Sequence, residues 1–521
     1  MQRHSIRNAE DVARIEALPY SAFMAHEHVY DALSQAAAQF PTRKALTYLR
    51  DAELPTVPRT WTYEQLLSDI RRAANLFVTL VPDDEPKVAM LLPAIPEAYL
   101  ALWGGETAGV ACPINYLLDT AHVAELIRTS GANIVVALGP HPDLDIWSRA
   151  ADLRAMCPGL RHILAVGGAP GCTDFEEALR QMPGDVLLQP AVGSPERLAA
   201  FFHTGGTTGA PKLAQHTHRN QLHSAWGAAQ LYAMDERDVI LNGFPLFHVA
   251  GSFVYGLSAL LSGAEVVLPT TLGLRNTSFV SNYWKFVEHY GVSLLAAVPT
   301  VIATLLGVDP QDASTKGVRA LLTGGSPLPN ELANAFESRF SIPVRNILGM
   351  TECAGVVSIE PFLAPRTLGS CGLPLPFTEV KAVTPDGSEC PAGMSGILRL
   401  RGPNVGPGYT DARRNVGTFT DDGWLITGDI GHVDAQRRAF VTGRAKDVII
   451  RSSHNIDPQV IEEALLQHPD VVMAAAVGEP DEYAGELPVA FVTLKPGSQV
   501  DMSELLASAK QRTPGGPGHP R

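Results

Sequence analysis

From Val29 onward the chain alternates two periodicities. VYDALSQAAAQF has helical spacing and runs into a short strand, KALTYLR. TWTYEQLLSDIRRAANLFVTL then reads as an amphipathic helix, with Thr62 and Gln65 at the two positions of a capping box. VAMLLPAIPEAYLALWGGETAGVACPI breaks into an apolar strand, a helix and a second strand over 109–114, and AHVAELIRTS with NIVVAL repeats the pair. The rhythm resumes after residue 215. A helix over 219–233 precedes strand DVILNGFP, helix VYGLSALLSG, strand EVVLP, the amphipathic SNYWKFVEHYG and strand VSLLAAVP. VRALLTGG and VRNILGM are further strand-to-loop junctions. Strands that are apolar without alternation belong to parallel sheet covered on both faces. The expected fold class is therefore α/β, a large N-terminal region of stacked βαβ-type sheets whose ligands gather at the carboxyl ends of the strands.

Near residue 369 the texture changes. Turns crowd together in TPDGSECPAGMSG, RGPNVGPGY and FTDDGW, between short strands such as ILRLRG. This predicts a β-rich subdomain over 369–431, completing a large domain of residues 1–431. Beyond it, a hairpin (GHVDAQRRAFVTGR), a helix (PQVIEEALLQH) and strands VMAAAVG and LPVAFVTL predict a small, mobile α+β domain over 432–509. Residues 510–521, ending in TPGGPGHPR, read as a disordered tail. No internal repeat stands out.

A chain of 521 residues, 45% hydrophobic and 18% charged, has ample material for more than one core. The formal net charge of -14 argues against a dedicated nucleic-acid binder, which carries a basic footprint. The six cysteines include no C-x-x-C pair, so neither a zinc site nor a disulfide scaffold is expected. The opening residues lack the apolar run of a secretory signal, and no stretch reaches eighteen apolar residues, so the expectation is a cytoplasmic protein without a membrane span.

Four separated motifs carry candidate chemistry. HTGGTTGAPK, residues 203–212, is rich in Gly and Thr and ends in Lys212. It departs from the usual nucleotide loop, because Ala210 and Pro211 separate Gly209 from the lysine and Leu213 follows it. Glycines let successive N–H groups converge on an anion, and a lysine adds a mobile positive charge. NILGMTE places Glu352 at a strand end, where one carboxylate suits a Mg2+ bridging phosphate oxygens. Thr351 beside it is a second phosphate contact or an orienter of the acid. In DGWLITGDIG, Asp429 is a short acid suited to the two hydroxyls of a ribose. TGRAKD sets Arg444 and Lys446 at the edge of the small domain. Each motif alone also reads as an ordinary surface turn or a solvated charge cluster; four together fit the parts of Mg-ATP. His248, in NGFPLFHVAG, follows a strand and is a pocket-wall candidate, with a satisfied core histidine as the plain alternative.

Together these pieces resemble the adenylate-forming superfamily of acyl-CoA synthetases, luciferases and peptide-synthetase adenylation domains, over about residues 35–500. TGGTTGAPK resembles its phosphate loop, LGMTE its metal-acid motif, TGD its ribose motif and GRAKD its hinge motif; LTGGSPLP and FHVAG match in place. HNIDPQVIEEAL and HPDVVMAAAVGEPDEYAGELPVAFV are most similar to bacterial fatty-acyl-CoA synthetases. The resemblance implies a two-step ligase using ATP, Mg2+ and coenzyme A: a carboxylate attacks the α-phosphorus, pyrophosphate leaves, and the thiol of coenzyme A then displaces AMP. It implies catalytic roles for Thr204, Lys212, His248 and Glu352, with Thr204 and Glu352 toward the metal. Nucleotide contacts would come from Thr204, Gly205, Gly206, Thr207, Thr208, Gly209, Lys212, Gly324, Gly325, Leu348, Gly349, Met350, Thr351, Asp429 and Arg444, and the hinge from Lys446. Phe247 to Gly251, residues 298–300 and Gly324–Gly325 would line the acyl pocket, which points to an aliphatic or aromatic acid, with a fatty acid favoured by the resemblance.

The sequence departs from the family pattern in places. Gly205 stands where a serine is common, Leu348 where a tyrosine is, and Ser453 where a glycine is. The family's final motif, whose lysine enters the site for adenylation, has no counterpart before Arg521. The small domain is therefore expected to be truncated and adenylation weak. Two alternatives remain open: an adenylating enzyme that loads a carrier protein, and a non-catalytic nucleotide-binding protein on the same fold. The absence of an Asp in HVAGSFVYG disfavours an amino-acid substrate. A homodimer is compatible with the resemblance.

Overall fold

The computed structural model describes residues 3–191, 193–204, 212–451, 454–456, 458–481, 485–495 and 497–512. The βαβ rhythm becomes two large sheets of mostly parallel strands. In the nine-stranded sheet, Lys44–Tyr48, Glu265–Leu268, Val239–Leu241, Leu294–Ala296, Ala320–Gly324 and Val344–Leu348 run parallel. Antiparallel strands close both edges, Arg59–Thr62 at one and Ser358–Ile359 with Leu373–Pro374 at the other. In the eight-stranded sheet, Leu198–Thr204, Val110–Pro113, Lys87–Leu91, Ile134–Leu138, His162–Val166 and Thr173–Asp174 run parallel. Lys212–Thr217 folds back antiparallel on Leu198–Thr204, and the two-residue strand Gly408–Tyr409 adds outside it.

The sequence signals have direct physical outcomes. Thr62 caps helix Tyr63–Leu80: the Gln65 N–H donates to the Thr62 hydroxyl at 3.2 Å, and the Gln65 side chain accepts from the Thr62 N–H at 2.9 Å. Helix Pro96–Ala108, mostly apolar, is buried along nearly its whole length; His218–Leu231 is as deeply buried although it carries polar side chains such as Asn220, Gln221 and Ser224. Both belong to one apolar cluster that joins the two sheets. A second cluster, around Trp284, Phe286, Phe336 and Phe340, covers the other face of the nine-stranded sheet. All six cysteines are free, and no helix among the described residues is long and apolar enough to cross a membrane.

A third, antiparallel sheet holds Glu379–Val383, Gly396–Arg401, Leu425–Val433 and Ala439–Arg444 in that order. The hairpin GHVDAQRRAFVTGR thus pairs into the β-rich sheet, through Gly396–Arg401. The fourth sheet, His454–Ile456, Ile449–Arg451, Gly485–Leu494 and Val471–Asp481, carries helices Pro458–Leu466 and Met502–Arg512. The last helix runs into the stretch that the sequence assigns to a tail, because Leu505 and Ala509, four apart, bury against Ala464 and Leu465.

Candidate active site

Strand Leu198–Thr204 is buried in the middle of its sheet and ends facing Lys212 across the mouth of a hairpin. Both Thr204 and Lys212 are half-buried. The intervening Gly205, Gly206, Thr207, Thr208 and Gly209 lie outside the described residues, as does Ser453. The Lys212 ammonium stands 5.2 Å from the ring centroid of Tyr409, a cation–π contact. Tyr409 reaches that position because its short strand pairs with Ala214, two residues beyond the lysine, and its carbonyl accepts from the Gln215 side chain at 2.9 Å.

Glu352 arrives from the other sheet. Strand Val344–Leu348 ends in Gly349, where an added Cβ would come within 2.1 Å of the Gly355 carbonyl, so only glycine fits this turn. A single 3-10 turn, Thr351–Cys353, follows and carries Glu352. Its side chain is 8% exposed, and the Tyr409 hydroxyl donates to its Oε1 at 2.5 Å. Its Oε2 accepts no hydrogen bond among the described residues. The backbone is held as firmly: the Glu352 carbonyl accepts from Gly406 N–H at 2.9 Å, and the buried His216 Nε2 donates to the Thr351 carbonyl at 2.7 Å. Leu348 and Met350 pack beside Cys353, Val357, Leu400 and Leu425, so Leu348 gives an apolar wall. Gly324 and Gly325 stand at the end of the neighbouring strand, with Gly324 in register with Ile347.

The third sheet supplies the remaining pair. Asp429 and Arg444 are in register across the hairpin, and Arg444 Nε lies 2.9 Å from Asp429 Oδ1. Asp429 is buried while the Arg444 side chain is half-exposed. Burial pushes the Asp429 carboxyl up from its ordinary range, against the opposing pull of Arg444. Lys446 is exposed, two residues further on, where the chain leaves this sheet. The Asn404 amide donates to the Val356 carbonyl at 2.6 Å and ties this sheet to the turn that holds Glu352.

His248 is solvent-accessible although protein crowds it enough to lower its pKa, which is what the wall of a cleft does to an imidazole. It precedes a π-helical segment, Ala250–Leu257, a form that concentrates at functional sites. Phe247 stacks on His203 at 6.0 Å, and His203 Nε2 accepts from the Asn115 N–H at 3.0 Å, so its proton sits on Nδ1. Burial, with His248 nearby, pushes His203 down to about 4, and burial does the same for His216. Both imidazoles are neutral at pH 7.

The structure therefore brings Thr204, Lys212, Thr351 and Glu352 to one corner and pairs Asp429 with Arg444. The sequence assigned no role to Tyr409, His216 or His203, although His203 heads the HTGGTTGAPK motif. The dipeptide GY in a turn-rich stretch has no chemical signature of its own, and His216 and His203 look like ordinary strand positions. Among the described residues no cluster of three His, Cys, Asp or Glu side chains could hold a metal. One carboxylate with an open oxygen does fit Mg2+, which keeps waters and takes most of its remaining ligands from phosphates.

Residues 33–410 match the model of the AMP-binding enzyme family, and residues 460–515 match that of the AMP-binding enzyme C-terminal domain. The chain is 35% identical to a marinolic acid–CoA ligase of Pseudoalteromonas sp., over 96% of this chain and 78% of that protein. It is 31% identical to a sulfoacetate–CoA ligase of Cupriavidus necator, over 90% and 91%. Among solved structures, an anthranilate CoA ligase in complex with anthranoyl-AMP superimposes with a TM-score of 0.84, over 96% of this chain and 92% of that one; at 22% identity this likeness concerns the fold alone.

Proposed function

The chain belongs to the AMP-binding enzyme family, the adenylate-forming acyl-CoA ligases that use ATP, Mg2+ and coenzyme A, and from that premise we propose that it activates an organic acid, a fatty acid first among candidates, at the corner between Lys212 and Glu352. The carboxylate of the acid attacks the α-phosphorus of ATP, the bond to pyrophosphate breaks, and acyl-AMP forms. The coenzyme A thiol, losing its proton, then attacks the acyl carbon, and AMP leaves with the bonding pair. The observation that supports this reading is the convergence of Lys212 and Glu352 on one tyrosine from different sheets. Thr204 and Lys212 would stabilise charge building on the leaving pyrophosphate, and Asp429 with Arg444 would fix the ribose. Glu352, through its open Oε2, would hold Mg2+, which neutralises phosphate charge when bound.

The acyl side is supported by Phe247 and His248 beside His203, the residue before Thr204, and by Gly324 and Gly325 at the end of strand Ala320–Gly324. A second substrate class has its own observation. Arg275 donates to the Tyr116 hydroxyl at 2.9 Å and has no acidic partner among the described residues, while Tyr116 packs on Phe247 at 5.7 Å. A cation on that wall suits an acid with an anionic or strongly polar far end, and one relative is a sulfoacetate–CoA ligase.

The test is acid-dependent exchange of labelled pyrophosphate into ATP, run across long-chain fatty, aromatic and dicarboxylic acids, followed by thioester formation with coenzyme A and with a holo-carrier protein. Exchange with fatty acids and thioester formation on coenzyme A are expected. No exchange with any acid would overturn the reading, and transfer only to the carrier protein would replace coenzyme A as acceptor.

A further inference from the structure

Tyr409 touches two opposite charges. Lys212 lies over the face of its ring, and Glu352 accepts from its hydroxyl. Among the described residues neither Lys212 nor Glu352 forms an ion pair, although both touch the same side chain. A carboxylate 8% exposed is costly unless it is paired or hydrogen-bonded, and a nearby ammonium is its cheapest partner. The ammonium stands over the face of the ring and the carboxylate at its hydroxyl edge, so one side chain borders both charges.

The tyrosine is also unusually constrained. It is 4% exposed, and Phe419 packs edge-on against it at 5.8 Å. Its N–H donates to Asn415 Oδ1 at 2.8 Å. Gly408 before it sits at φ +121°, and a Cβ there would run into the Asn415 side chain at 2.6 Å. Glycine at 408 is therefore required by the clasp.

We propose that Tyr409 is a positioning residue that keeps the phosphate lysine and the metal carboxylate apart, its ring insulating Lys212 and its hydroxyl turning Glu352 so that Oε2 is free for the metal. The proposal rests on the adenylating role assigned above. Without the hydroxyl, Glu352 loses its orientation. Without the ring, Lys212 and Glu352 collapse onto each other, and each is lost to the triphosphate.

The two functions of the side chain come apart in two variants. Tyr409→Phe keeps the ring and removes the donor; its affinity for Mn2+ in the presence of ATP, read by the electron spin resonance of free Mn2+, should weaken about tenfold, the scale of a lost hydrogen bond to a charged group. Its affinity for ATP in EDTA, read by calorimetry, should stay within about twofold of the parent. Tyr409→Ala should lose about tenfold in both, the second loss being the lysine's. Circular dichroism melting identifies a folding defect, and Tyr409→Leu, which keeps bulk, replaces the alanine variant if that one melts early. Unchanged Mn2+ binding by Tyr409→Phe, or unchanged metal-free ATP binding by both ring-less variants, overturns the proposal. A parent protein that binds Mn-ATP but exchanges pyrophosphate with no acid overturns the adenylating role instead.

Discussion

Lys212, Tyr409 and Glu352 come from three distant segments, two of them strands of the eight-stranded sheet and the third a turn at the end of a strand in the nine-stranded one. Asp429 and Arg444 face each other across a single hairpin. The first corner is tertiary: its groups are largely buried, and a side chain from elsewhere holds each of them. The second is local: strand register sets it, and its arginine is half in water. Charge that must change partners during a reaction is best held in a dry, preset corner, because no reorganisation is then needed as the bond breaks. Charge that only recognises a sugar can be local and wet. Changes in the first corner should therefore act on rate, and changes in the second on affinity.

The largest effect tests the dry corner directly. Lys212→Ala and Glu352→Gln should each lower the rate of pyrophosphate exchange by about 100-fold or more, the cost of removing one preset donor or charge from a transition state. Glu352→Gln keeps an acceptor for the Tyr409 hydroxyl, so its melting temperature should stay close to the parent's. An exchange rate near normal in either variant would move the chemistry out of this corner.

The next test concerns how this corner is held together. The buried His216 is pushed down to about 4, against an ordinary value near 6.5 in the unfolded chain. Between pH 6.5 and 4 the unfolded chain takes up a proton that the folded one refuses, so folding stability falls as pH falls through that window. The full loss attributable to one such imidazole is up to about 3 kcal/mol by pH 4. His216→Gln can still donate to the Thr351 carbonyl but no longer titrates, so its urea midpoint should decline less steeply between pH 7 and 5 than the parent's. Parallel slopes would mean that His216 protonates freely and is not sealed beneath Thr351.

How much of this was legible follows the same division. The apolar strands and the Thr62–Gln65 cap could be read because their signals are local: burial on both faces, or two residues three apart. Lys212 and Glu352 stood out because a Gly/Thr-rich loop and an acid at a strand end occur in one chain with the Asp429 and Arg444 motifs; either alone reads as an ordinary surface turn or charge. Tyr409 did not, since its significance lies in pairing with a strand far earlier in the sequence, which neither periodicity nor composition encodes. The same limit applies to the hairpin Leu425–Val433 with Ala439–Arg444. Its alternation shows that it is a hairpin but not that Gly396–Arg401 is its neighbour, so the sequence alone attaches it to the domain that follows. At the chain's last helix, the Gly/Pro-rich residues beyond it hid the apolar pair Leu505 and Ala509.

The wet corner predicts a smaller and different change. Asp429→Asn keeps the shape of the side chain and removes the charge, leaving one acceptor oxygen where two would meet a ribose. The KM for ATP should rise about tenfold, while the maximal rate changes less, since a uniform binding contact has gone. Loss of the Asp429–Arg444 pair itself should cost folding at most about 1 kcal/mol, because half-exposed ion pairs are screened by water. If the maximal rate fell and KM held, the contrast between the two corners would fail.

The smallest effect lies at the end of the same hairpin. Lys446 is exposed, and among the described residues it has neither an ion pair nor a side-chain hydrogen bond. A side chain without a polar partner in one arrangement acts in another, or through its backbone. It stands in the short link between the β-rich sheet and the small domain, after the Ala445 N–H has bonded to the Gly428 carbonyl. If that link swings between the two half-reactions, Lys446→Ala should leave exchange unchanged and slow thioester formation only slightly, because the backbone can still turn. Lys446→Pro fixes φ near −65° and should slow thioester formation severalfold more, with exchange again unchanged. Separate assays of the two half-reactions decide this: equal losses in both would make residue 446 part of the adenylating corner, and no loss in either would place the hinge elsewhere in the link.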